Sequence, residues 1–161
     1  EQAMKVANFL LSMKEKTNFE RIYVSPLMRA LQTAERISDA LNLPVRVNNG
    51  LGYFAAQTAY MLTNKGIKLP FVSIKDIAKR CPLAKLDKIH DREQTDPMGA
   101  LRSIVESTKG DVLIVAHREC IRDLLCPEDA AKTHLPYCSV GLFTYKNKKW
   151  KPVRIFKQVV E

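Results

Sequence analysis

The junction Ile22-Tyr23-Val24-Ser25-Pro26-Leu27-Met28-Arg29 constrains the fold of this 161-residue chain more than any other stretch. A β-branched and aromatic run stops at Ser25, a residue type whose side-chain oxygen caps helix N–H groups, and Pro26 suits a first helical position. From there Leu27, Ala30, Leu31, Ala34, Ile37 and Leu41 recur at helical spacing. A strand feeds straight into an amphipathic helix. Arg29 falls on another face, within about one turn of the helix start, where N–H groups and the positive dipole end favour a phosphate. A guanidinium there adds a charged, potentially bidentate fork. The competing reading of Arg29 is an ordinary surface residue on an amphipathic helix.

A second element points the same way. Val112-Leu113-Ile114-Val115-Ala116 is an unbroken apolar run between two helical patterns, which predicts a parallel strand buried on both faces. His117 leaves its C-terminal end. Ligands of open α/β sheets bind outside the carboxyl ends of the strands, so Arg29 and His117 are aimed at one edge of the sheet.

The other elements follow by periodicity. Ala3, Val6, Ala7, Leu10 and Met13 predict a helix over residues 2–13, and Asn42 and Pro44 end the long helix. Residues 45–47 are a short strand with Asn48-Asn49-Gly50 as its turn. Helices are expected over residues 55–65, stopped by Gly66, and from Ser73 to near Arg80. His90, Asp91, Arg92 and Glu93 cluster in a charged stretch whose default reading is a solvated loop. Asp96-Pro97 opens a helix with Met98, Leu101, Ile104 and Val105 inward. A short helix through Ile121 and Leu124 is closed by Pro127. Residues 139–145 and 153–159 form an antiparallel pair joined by a basic turn, predicted to cover one edge of the sheet. His134 lies in a loop and is read as a surface histidine. Striped helices and a two-sided apolar strand require covering on each side. The fold class is therefore α/β, a three-layer sandwich with a mostly parallel central sheet and helices on both faces, built as one domain over residues 1–161.

Composition narrows the classes of function. A hydrophobic fraction of 46% and a charged fraction of 27% are those of a globular domain, and no apolar run reaches the ~20 residues needed to span a bilayer. Cys81, Cys120, Cys126 and Cys138 lack metal-type spacing, so reduced thiols in a cytoplasmic protein are expected, without metal or cofactor. The net charge of +9 suits an anionic ligand, a nucleic acid or an acidic membrane surface. Lys146, Lys148, Lys149 and Lys151 form its one local cluster, near Tyr145 and Trp150. With no nucleic-acid-binding pattern around them, they read as a solvated turn.

Ser25 to Ala34, with its Ser-Pro-Leu-x-Arg-Ala-x-Gln-Thr-Ala wording, resembles the second block of the histidine phosphatase superfamily, the phosphoglycerate mutase-like enzymes. Asp111 to Glu119 resembles that family's later strand, which ends in a histidine at the phosphate pocket. The resemblance implies a phosphoglycerate mutase-like fold and a phosphate site in which Arg29 and His117 bind the phosphoryl oxygens. It also implies a nucleophilic histidine in an Arg-His-Gly motif and a Glu or Asp that protonates the leaving group. No Arg-His-Gly occurs here, and the opening resembles the helix downstream of it. Tyr53, in Leu51-Gly52-Tyr53-Phe54, stands where the acid is usually found, and residues 52–95 resemble the family's variable lid. Glu119 is the acid next to the pocket in sequence and the candidate proton donor, its alternative being a dipole partner at a helix start.

Three functions remain open on these grounds. One is a phosphomonoester hydrolase or phosphoryl transferase acting on a small phosphorylated substrate or a phosphoprotein, its phosphohistidine formed outside these residues. Another is a phosphatase-like domain that binds a phosphorylated ligand without turnover. The third is an interaction module with a basic face. The Arg-His-Gly strand is expected inside the sheet, beside the strands before Ser25 and His117, and its loss would leave both with unpaired backbone groups. Upstream residues are therefore expected to supply it.

Overall fold

The computed structural model describes residues 1–13, 17–55, 79, 84–86, 97–125 and 127–157. Helix α1 (Gln2–Met13) leads into strand β1 (Phe19–Val24), which passes through Ser25-Pro26-Leu27 into helix α2 (Met28–Leu41). Strand β2 (Val45–Val47) and a 3-10 helix (Asn49–Ala55) follow. Strand β3 (Ala84–Leu86), helix α3 (Pro97–Ser107) and strand β4 (Asp111–Val115) complete the sheet. Helices α4 (Arg118–Leu124) and α5 (Pro127–Lys132) precede a hairpin of β5 (Val140–Lys146) and β6 (Lys149–Phe156).

The sheet runs β3-β2-β1-β4 with every pair parallel. From β1 the chain steps outward to β2 and β3, then crosses back to place β4 on the opposite side of β1. The order reverses between β1 and β4, which makes that crevice the topological switch point of the sheet.

Alternation along the strands divides the core in two. Ile22, Val24, Leu113 and Val115 face one way, against Val6, Ala7 and Leu10 of α1 and Ala30, Ala34, Ile37 and Leu41 of α2. Tyr23, Val112 and Ile114 face the other, against Leu101 and Ile104 of α3, Cys120 of α4 and Leu51. The three-layer α/β sandwich expected from the sequence is the architecture found. Asn42 ends α2 in the left-handed region at φ 53°, and its N–H donates to the Ser38 carbonyl.

Several expectations need correction. Strand β4 is half-buried rather than buried on both faces, because it is the edge strand of the described sheet. β1 pairs directly with β4 from Arg21↔Val112 to Val24↔Val115 and with β2 on its other edge, so no slot separates the strands before Ser25 and His117. The hairpin is a separate two-stranded sheet rather than an extension of the main one. It touches both layers: the Phe156 ring lies 4.9 Å from that of Phe9 in α1, and Trp150 packs with the α3 side. Its turn is only Asn147 and Lys148, both left-handed, as two-residue hairpins require. Lys149 and Lys151 therefore belong to β6, not to a long basic turn. Asn49 and Gly50 open a 3-10 helix instead of a simple turn. Pro127 begins α5 as well as ending what precedes it.

Strand β3 falls within residues 52–95, where no strand was expected. The helices expected over residues 55–65 and 73–80 lie outside the described residues, apart from Ala55 in the 3-10 helix and the helical Lys79. The cluster from His90 to Glu93 lies outside them too. Cys120 and Cys138 are free thiols, and His134 is exposed. No helix among the described residues is long and apolar enough to cross a membrane.

Candidate functional site

Three parallel strands end together. The Ser25 N–H donates to the Val115 carbonyl at 3.0 Å, and the Asn48 N–H donates to the Val24 carbonyl at 2.9 Å, tying the exits of β1, β4 and β2. Beyond these exits the chain turns into α2, α4 and the 3-10 helix. Ser25 is wholly buried, His117 is 7% exposed and Arg29 is exposed. The crevice thus has a fixed floor and a charged group open to solvent. Gly52 of the 3-10 helix completes the floor, since a Cβ there would lie 3.3 Å from the Pro26 ring and 3.9 Å from Ser25 Oγ.

Arg29 and His117 meet as the sequence predicts: Arg29 Nη2 lies 3.2 Å from His117 Nδ1. Ser25 Oγ lies 2.8 Å from His117 Nε2. A guanidinium has N–H donors and no acceptor, so Nδ1 must accept, and a neutral imidazole then carries its proton on Nε2 and donates it to Ser25 Oγ. Electrostatics agree. Burial, and after it the neighbouring Arg29 charge, lower the His117 pKa from 6.5 to about 4, against an upward pull from Glu119. At neutral pH the ring is uncharged.

This geometry excludes one chemistry. Ser and His in contact suggest an activated hydroxyl nucleophile, but that needs a ring lone pair turned toward the oxygen. Here the lone pair faces Arg29, and a cation beside the ring weakens it as a base. What the arrangement can do is hold an anion. Arg29 is the second residue of α2, at the positive end of the helix dipole, and His117 stands beside it.

Ser25 does not cap α2 as expected. The helix starts at Met28 with Leu27 as its N-cap, and Ser25 Oγ reaches only the Leu27 N–H, at 3.4 Å. Its hydroxyl serves His117 instead. No sequence signal reveals that contact, because its partners are 92 residues apart. Glu119 lies in the first turn of α4 with its side chain 31% exposed, 3.7 Å from the Arg118 guanidinium. Its charge reaches His117, with no hydrogen bond between the two among the described residues. Tyr53 belongs to the 3-10 helix, and its side chain lies outside what is described.

The sequence profile of the histidine phosphatase superfamily (branch 1) matches residues 1–158. The chain belongs to the histidine phosphatase superfamily. Among solved structures similar to this histidine phosphatase-superfamily chain is the ecdysone phosphate phosphatase from Bombix mori in complex with tungstate. The two share 18% sequence identity with a TM-score of 0.50, over 95% of this chain and 68% of that one, a likeness of fold. No curated protein matches the sequence.

Proposed function

We propose that the protein is a phosphomonoester hydrolase or phosphoryl transferase of the histidine phosphatase type, with Arg29 and His117 binding the phosphoryl oxygens. The observation that carries this reading is the convergence of the Arg29 guanidinium and the His117 imidazole at the switch point between β1 and β4. In this scheme the nucleophile is a histidine supplied from outside these 161 residues. His117 is committed to Ser25 and Arg29 and His134 is exposed, while His90 lies outside the described residues, so the outside nucleophile is the part that the family resemblance supplies. Arg29 holds the equatorial oxygens, and His117, once protonated on Nδ1, donates to the charge that develops on them, so electrostatic stabilisation supplies the rate enhancement. Glu119, close enough for its charge to act on His117, is the proton donor proposed for the leaving group. The substrate is a small phosphorylated molecule.

A second reading rests on Tyr53. A phenol with an ordinary pKa of about 10 is a poor proton donor beside a tuned carboxylic acid. If Glu119 does not act, the same crevice is a binding site for a phosphorylated ligand without turnover.

Titration calorimetry with tungstate on the full-length protein tests the shared claim. Arg29→Ala removes a charged hydrogen-bonding fork worth about 1.5–3 kcal/mol, so affinity should fall by about ten- to a hundredfold. Unchanged affinity would make Arg29 a surface residue and remove the site. Hydrolysis of an aryl phosphate by the wild type and by Glu119→Gln separates the two readings. Turnover that collapses in Glu119→Gln supports the enzyme, and binding without turnover in the wild type supports the second reading.

A further inference from the structure

We propose that Ser25 is a positioning residue that holds the His117 ring through Nε2–H, leaving Nδ1 as the ring atom that takes up a proton when an oxyanion binds beside Arg29. The proposal rests on the oxyanion-site reading above and assigns that site a proton linkage. Ser25 is suited to the task because it is held from several sides. Its side chain is wholly buried, its N–H is fixed to the Val115 carbonyl at 3.0 Å, and its hydroxyl also accepts from the Leu27 N–H at 3.4 Å. His117 is held at the other end, its carbonyl accepting from the Cys120 N–H at 2.9 Å. The 2.8 Å contact to Nε2 therefore joins two fixed backbones, and ring orientation follows from it.

With Arg29 turned to the ring, a proton on Nδ1 would face an Arg29 N–H, donor against donor, next to a fixed positive charge. A bound dianion reverses both terms. The Arg29 N–H groups turn to its oxygens, its charge offsets the guanidinium, and Nδ1 gains a proton that it donates to the anion. The balance is one proton from solvent to Nδ1 for each oxyanion bound, with Arg29 charged throughout. The charged groups acting on the ring among the described residues are Arg29 from α2 and Glu119 from α4, and the β1 side offers only the neutral Ser25 hydroxyl. Glu119 favours the proton once the Arg29 charge is offset.

Two measurements on the full-length protein test this. Two-bond nitrogen–proton NMR of the ligand-free protein should show His117 with Nε2 protonated and Nδ1 bare. Calorimetric titration with tungstate, which carries no proton of its own near neutrality, in buffers of different ionisation enthalpy should show close to one proton taken up per anion. In Ser25→Ala the imidazolium loses the acceptor of its stronger Nε2–H donor. Tungstate affinity should then fall about two- to tenfold, with the pH midpoint of proton uptake moved lower, and Ser25→Thr should restore both. A proton on Nδ1 in the free protein, binding without proton uptake, or an unmoved midpoint in Ser25→Ala would each overturn the proposal. If tungstate does not bind at all, the oxyanion-site reading fails and the proton linkage with it. The ring assignment in the free protein then decides the hold of Ser25 on its own.

Discussion

His117 carries a cost that shows in stability as well as in binding. Its folded pKa is lowered to about 4 while an unfolded histidine titrates at 6.5. Between those values the unfolded chain binds a proton that the folded chain refuses, so stability rises with pH across that window. The contribution is full above pH 6.5, is lost as pH falls toward 4, and changes no further once both states are protonated. Urea midpoints measured near pH 4.5 and pH 7 should differ more for the wild type than for His117→Gln, which cannot titrate. Equal differences would mean that His117 is not held neutral. Arg29 and His117 were legible in the sequence because each sits at a fixed offset from a strand end. Ser25 was legible only as a small hydroxyl residue beside a helix start. That chemistry serves a cap and a histidine equally well, and the choice between them depends on a strand 92 residues away.

Helix α1 and the body and end of α2 were readable because three or more turns give a stripe time to repeat, whereas the start of α2 was read at Pro26 and lies at Met28. Strand β3, Ala84-Lys85-Leu86, lacks the β-branched alternation that marks the equally short β2, and α5 has six residues, too few for a helical stripe to repeat. Strand β6 was placed too late because its exposed face carries Lys149 and Lys151, and charge on an open sheet face looks like a turn when only sequence is seen. The end of α2 is the opposite case, a stop signal with a visible mechanism. Asn42 adopts φ 53° and ψ 49°, and Ser38 Oγ donates to the Leu43 carbonyl at 2.7 Å, closing the exit toward β2. Asn tolerates that conformation and Gly adopts it without strain, whereas a β-branched side chain meets the following carbonyl. Asn42→Val should cost about 1–2 kcal/mol by urea denaturation, and Asn42→Gly should leave stability nearly unchanged. Equal losses in the two variants would show that the asparagine side chain, rather than the backbone angle, ends the helix.

The molecule is arranged around β1, which pairs with β2 on one edge and along most of its length with β4 on the other, and is covered on both faces. Ile22 and Val24 are fully buried and Tyr23 is 4% exposed, whereas β4 is half-buried with its outer edge unpaired among the described residues. Amide hydrogen exchange should therefore be slowest at Ile22, Tyr23 and Val24 and measurably faster along β4. Equal protection in β4 would mean that its outer edge is covered in solution. The β1–β4 pairing also fixes when the crevice can exist. It joins segments about ninety residues apart, and the entropy of closing so long a loop comes due before the contact returns anything. Ser25 and His117 meet only once that closure is complete, so a chain with every helix formed but the sheet still open has no site at all. Whatever anion the crevice holds binds the finished topology alone, and its presence acts as a ratchet against reopening, worth about 2.7 kcal/mol at a hundred times its dissociation constant.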